Sequence, residues 1–228
     1  MSSQATRPSL TSRHGDCENR LVSSPTEDLW RGQSSAARAA ERRERLLAAG
    51  TELLGTLGAP ETTVRGVCRD AGVGLRYFYE SFRDVDALLV EAYDRVADAL
   101  TARVLEEVMT APADPQARAR VAFGAALAFI TEDPRRGRIL FRETVANDAL
   151  REHGAQTVPR FVSLVATALT DESERGTAVD DNRRALQISA LSGALVKLFL
   201  DWLSGQLSIS QDQLVDYCTE VMWSIIGN

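Results

Sequence analysis

The 228-residue chain is poor in the residues that most often carry chemistry. Its three cysteines, Cys17, Cys68 and Cys218, are odd in number, far apart and without a CxxC pair, so neither a disulfide framework nor a zinc site is suggested. Such usage suits a reducing compartment. The two histidines, His14 in the tail and His153 beside Arg151, Glu152 and Gly154, complete no metal-ligand or triad motif with a cysteine or paired carboxylates, which argues against an enzyme. No metal and no cofactor is expected. Long apolar runs are also missing: MSSQATRPSLTSRHGD at the N-terminus has no signal-peptide core, and the most apolar later segment, ISALSGALVKLFLDWL, is interrupted by Lys197 and Asp201. The expectation is a soluble, cytoplasmic protein without a membrane partner. Alternating apolar stretches between hairpin turns are absent, so no strand is expected. The Gly-Val-Gly at 72–74 has no strand before it and no Lys-Ser or Lys-Thr after it, and is a poor phosphate loop.

What is present is helix. A hydrophobic fraction of 44% suffices for a real core, and aromatics make up only 6% of the chain, yet four of them fall within AGVGLRYFYESF, residues 71–82. The net charge of −6 is unevenly spread. Residues 34–84 carry eight Arg against seven acids, whereas 85–228 carry fourteen basic and twenty-one acidic groups. Phosphate binding responds to local charge, so a nucleic acid would meet least repulsion at 34–84.

Residues 1–33, rich in Ser, Thr, Arg and Pro and without periodicity, read as a disordered tail. From about Ser35, Leu46, Gly50, Leu53, Leu54 and Leu57 mark a one-sided helix that Gly58 and Pro60 close. Thr62 or Thr63 can cap a short second helix with Val64, Val67, Cys68 and Ala71 on one face and Arg65 and Arg69 on the other; Cys68 there fills space as a small apolar residue. Gly72 supplies the turn and Val73 packs inward. In a third helix Leu75, Phe78, Tyr79 and Phe82 recur at i, i+3, i+4, i+7, leaving Arg76, Tyr77, Glu80 and Arg83 on the other side. Two short helices meeting at a glycine turn form a helix-turn-helix, whose second helix can lie in the DNA major groove.

Six further helices are predicted at about 84–108, 114–132, 134–147, 149–170, 181–205 and 210–226. Asp114-Pro115 and Asp133-Pro134 each set a capping acid before a first-turn proline, and Ser210-Gln211-Asp212-Gln213 fits a capping box. The segment from Leu186 to Leu203 is apolar nearly all round and needs cover on every side. Together with the stripe Leu214, Cys218, Val221, Met222 and Ile225 it would form half of a four-helix bundle if two chains met, which points to a homodimer through 181–226.

TTVRGVCRDAGVGLRYFYESFRDVDALL, residues 62–89, resembles the DNA-binding segment of TetR-family transcriptional regulators, with Thr63, Ala71, Gly72, Val73, Tyr79, Phe82, Leu88 and Leu89 on the family pattern. Two positions depart from it: Gly74 stands where the family often caps the recognition helix with Ser or Thr, and Val85 where it usually has a phosphate-directed lysine, for which Arg83 is the nearest substitute. The resemblance implies an all-α fold, with a three-helix DNA-binding domain at 34–84 and a six-helix ligand-binding and dimerisation domain at 85–228. It further implies a homodimeric repressor on a near-palindromic operator, released by a small apolar inducer. The alternative is a helical dimerisation protein whose helix-turn-helix contacts protein.

Arg65 and Arg76 are the candidates for reading base edges, since an Arg fork can bond guanine O6 and N7 together. Tyr77 and Tyr79 can donate to phosphate, Thr63 joins a cap to a phosphate contact, and Gly74 leaves backbone donors free. Periodicity turns Leu75 inward, whereas the resemblance sets it in the groove against a thymine methyl. Tyr93, Phe123, Leu127, Ile130, Phe141, Phe161 and Leu164 supply the apolar interior of the C-terminal domain, and the resemblance implies that some of them line a ligand cavity.

Overall fold

A computed structural model describes residues 25–169 and 181–226, with side chains from residue 35 onward. The chain divides into two compact units, residues 1–39 and 40–228. The first helix, α1 (Pro25–Thr56), runs through that division. Its start corrects the expected tail: residues 25–33 are helical, their polar composition having hidden the helix, while the tail expected at residues 1–24 lies outside the described residues.

The regular structure of the second unit is helical throughout its described residues. After α1 comes a single 3-10 turn (Ala59–Glu61), then α2 (Val64–Ala71), α3 (Leu75–Ser81), α4 (Val85–Thr110) and α5 (Pro115–Glu132). Local chemistry fixes the ends. Thr63, Asp84 and Asp114 each accept a bond from the backbone N–H three residues on, at 3.1, 2.8 and 2.7 Å, which satisfies donors that a helix start leaves free. Helices α1 and α4 approach closely because Gly50 has no side chain: a Cβ there would stand 2.2 Å from Leu88 Cδ2. Arg43 bonds both carboxylate oxygens of Glu91 at 2.5 Å across the same pair of helices.

The expected single helix at 134–147 is broken. It consists of α6 (Pro134–Gly137), a π-helical turn (Arg138–Arg142) and α7 (Glu143–Ala146), with Glu143 N–H bonding back to Arg138 O across five residues. The cause is tertiary: Arg138 donates to Thr56 O at 2.6 Å and Leu57 O at 2.9 Å, and its Nε donates to Glu143 at 2.8 Å. Widening the turn by one residue places both members of that pair toward the end of α1.

The last three helices are α8 (Asp148–Leu169), α9 (Asp181–Leu203) and α10 (Gln211–Ile226). The capping box forms as its spacing suggests: Ser210 N–H donates to Gln213 Oε1 at 2.9 Å and Gln213 N–H donates to Ser210 Oγ at 3.2 Å. By length and composition α9 could cross a membrane, yet it packs on α8 and α10, and its Lys197 pairs with Asp201 at 2.5 Å. Within the chain α9 buries only Leu191, Ser192 and Phe199; Leu186 is 71% exposed. On α10, Leu214, Cys218 and Met222 are buried while Tyr217 faces out.

Candidate nucleic-acid interface and cavity

The α2–α3 corner is built by one backbone feature. Gly72 sits at φ 61, ψ 35, the left-handed region that residues with a Cβ adopt at a cost, and Val73 N–H reaches back to Cys68 O at 3.0 Å to close the turn. Val73, Phe78 and Phe82 then bury, the two phenyl rings 5.7 Å apart. These anchors decide which way α3 faces. Its remaining side chains are exposed or, at Ser81, half-buried.

Leu75 is 48% exposed, which settles the sequence conflict against the inward stripe: Phe78 within α3 and Phe82 just past its end are the buried members of that stripe. Tyr77 and Tyr79 are exposed as well, Tyr79 with its ring set edge-on to Phe78 at 5.5 Å. Arg76 lies in the same outward set and donates from Nε to Glu80 at 2.9 Å. An exposed i,i+4 pair of this kind contributes about 0.3–0.5 kcal/mol, so phosphate or a base edge competes with it easily. Arg65 is exposed on α2. Arg83 donates to Asp84 at 2.7 Å, and the Asp84 carboxyl is held below the usual range first by the Ala87 N–H and then by Arg83.

Thr63 caps α2, and Gly74 precedes α3 without any side-chain cap. The Cys68 thiol is pushed up by burial, consistent with its packing role. One contributor escaped the sequence reading: the Arg42 guanidinium lies 4.3 Å from the centre of the Tyr77 ring. The contact ties α1 to α3 between residues far apart in sequence, and no local motif signals it.

A cavity of about 420 Å³ opens among α4, α5, the π turn, α8 and α9. Six of the seven expected residues line it: Tyr93, Phe123, Ile130, Phe141, Phe161 and Leu164. Leu127 does not. It is fully buried in the core, because its position on α5 turns it away from the opening. Sequence reasoning missed Phe199 of α9, whose ring stacks on Phe141 at 5.3 Å, and the polar edge made by Asp94, Asp98, His153, Thr157 and Arg160. His153 Nε2 donates to Asp94 Oδ1 at 2.5 Å, a pairing between residues 59 apart that no local motif announces. The Tyr93 hydroxyl is pushed up to about 12, mainly by burial and secondarily by Asp94. Among the described residues no group of three or more His, Cys, Asp or Glu is placed to hold a metal.

The π turn joins the cavity wall to α1. Leu140 and Phe141 face the opening, while Glu143, buried within the same few residues, accepts from Ala59 N–H at 2.8 Å and from Arg138.

By sequence, no family model matches the chain and no curated protein matches it. Solved structures do. The fatty acid degradation regulator FadR from Bacillus halodurans is 14% identical, with 81% of this chain and 96% of that one covered at a TM-score of 0.63. A TetR-like transcriptional regulator from Rhodococcus sp. RHA1 is 19% identical over 82% and 96%, at 0.57. The multidrug binding protein EbrR, solved with imidazole, is 23% identical over 79% and 89%, at 0.59. The all-α fold of this chain is that of the TetR-family transcriptional regulators.

Proposed function

We propose that the protein is a ligand-responsive, DNA-binding transcriptional regulator and not an enzyme. One observation carries this reading: α3 buries Phe78 and leaves Leu75, Arg76, Tyr77 and Tyr79 outward, on a corner fixed by Gly72. Two tyrosine hydroxyls and an Arg fork on one short helix suit a major groove, with phosphates positioning the helix and base edges specifying the sequence. Thr63, Arg65, Gly74 and Arg83 flank it as further contacts. The acidic charge of residues 85–228 disfavours approach to DNA by any other surface.

The protein acts as a homodimer through 181–226, the uncovered face of α9 and the outer face of α10 meeting their copies, so that two α3 helices address the halves of a near-palindromic operator. The cavity takes a small, largely apolar inducer that releases the repressor, and the π turn relays its occupancy to α1. The fold shared with a regulator of fatty acid degradation and with a multidrug-binding protein supports this ligand reading. Only differential affinity drives such release; moving the balance from 1:99 to 99:1 takes about 5.5 kcal/mol.

A mobility-shift assay on the DNA flanking the protein's own gene tests the proposal. A discrete complex that survives scrambled competitor is expected, and light scattering is expected to give the mass of two chains. No specific complex, or a monomer at micromolar concentration, refutes it.

A further inference from the structure

Four arginines around the α2–α3 corner are each held by an acid: Arg43 by Glu91, Arg69 by Asp70, Arg76 by Glu80 and Arg83 by Asp84, at 2.5 to 2.9 Å. Arg42 is held differently. Among the described residues no carboxylate pairs with it, and its guanidinium lies over the Tyr77 ring, 4.3 Å from the centroid. Glu44, two residues further along α1, is taken by Arg95 at 2.5 Å. The neighbouring Arg43 also sits over a ring, that of Phe82 at 4.7 Å, but both carboxylate oxygens of Glu91 bind it. Arg43 is thus a clasp within the fold, whereas the charge of Arg42 is left open.

A ring face attracts a cation through its quadrupole and cancels none of its charge. Arg42 is half-buried, so its side chain is already ordered. A phosphate oxygen reaching it displaces no internal partner, as it would have to at Arg76 or Arg83. Tyr77, 40% exposed, stands in the outward set of α3 with Leu75, Arg76 and Tyr79. Arg42 joins that face from α1, beside the helix rather than on it, which sets it against the sugar-phosphate backbone and away from base edges. Resting on the reading of α3 as the DNA-contacting helix, we propose that Arg42 is a phosphate-contacting residue seated on the Tyr77 ring, adding affinity for duplex DNA without adding sequence preference.

The full chain is titrated by fluorescence anisotropy into two labelled duplexes, the DNA flanking its own gene and a scrambled duplex of the same composition, between about 50 and 200 mM salt. Each phosphate neutralised contributes about 0.9 to the slope of log affinity against log salt, so over this range Arg42→Met should lose about 3.5-fold less affinity than the unaltered protein, on both duplexes alike. Arg42→Lys should keep the unaltered slope, and thermal melts confirm that both variants fold. In a Tyr77→Leu background the further change Arg42→Met should cost less affinity than it does alone, because the seat is already gone. An unchanged slope in Arg42→Met, a loss confined to the gene-flanking duplex, or an equal cost in both backgrounds overturns the inference while leaving α3 a DNA-binding helix. If the unaltered protein forms a complex with neither duplex, the DNA-binding reading falls and the inference falls with it.

Discussion

Replacing Arg138 by methionine should destabilise the protein more than any surface change, for reasons that can be counted. Glu143 is 2% exposed and its carboxylate has two partners, Arg138 Nε and Ala59 N–H, each at 2.8 Å. The methionine side chain would keep most of the packing volume but leave a buried carboxylate with a single donor, and would strip the carbonyls of Thr56 and Leu57 of theirs. Breaking a buried pair in this way costs about 3–5 kcal/mol, a large share of a typical stability of about 5–15 kcal/mol. Replacing Arg138 and Glu143 together by methionine removes the stranded charge, so the double variant should recover much of the loss. Urea unfolding of the four proteins gives the coupling energy directly. A cost below about 1 kcal/mol for Arg138→Met, or losses that simply add in the double variant, would refute the claim that this pair clasps the π turn to α1.

Arg76→Ala should relax sequence preference, whereas Tyr77→Phe should weaken binding evenly across sites; equal effects of both changes on specific and scrambled DNA would contradict the assignments. Gly72→Ala forces a Cβ into the left-handed region at a cost of about 1–2 kcal/mol, so its melting temperature should fall, and an unchanged melt would argue against the φ of 61. The Asp133 carboxyl is held below its usual range first by the Arg135 side chain, so its folded form titrates lower than its unfolded one. That contribution is present above the unfolded value of about 3.9 and is lost as pH falls through the folded value, and urea midpoints should drop below about pH 4. Asp133→Asn should flatten the drop; an identical slope in the variant would assign the acid sensitivity elsewhere.

Most of this fold was legible in the sequence because its punctuation is local. Asp84, Asp114, Asp133 and Ser210 cap helices where their side chains reach the next turn, and Gly72 turns the corner for a reason written in its missing Cβ. What escaped depends on distant partners. The π turn exists because Arg138 finds carbonyls more than eighty residues away, and the polar edge of the cavity exists because α8 lies along α4. Periodicity alone misplaces Leu75, since a stripe says which residues share a face and not how many of them the neighbouring helices can cover. Leu127 and Phe123 are both apolar residues of α5, but one faces the core and the other the opening, a distinction that rests on the three-dimensional path of its neighbours.

The anchoring of α3 by Phe78 and Phe82 has an evolutionary corollary. Because the outward residues bear little of the weight of folding, substitutions among them are nearly free in stability, and surface changes of this sort usually stay within about 0.5 kcal/mol. On the proposed DNA-binding reading, descendants of such a scaffold can therefore drift to new target sequences without first acquiring compensating mutations.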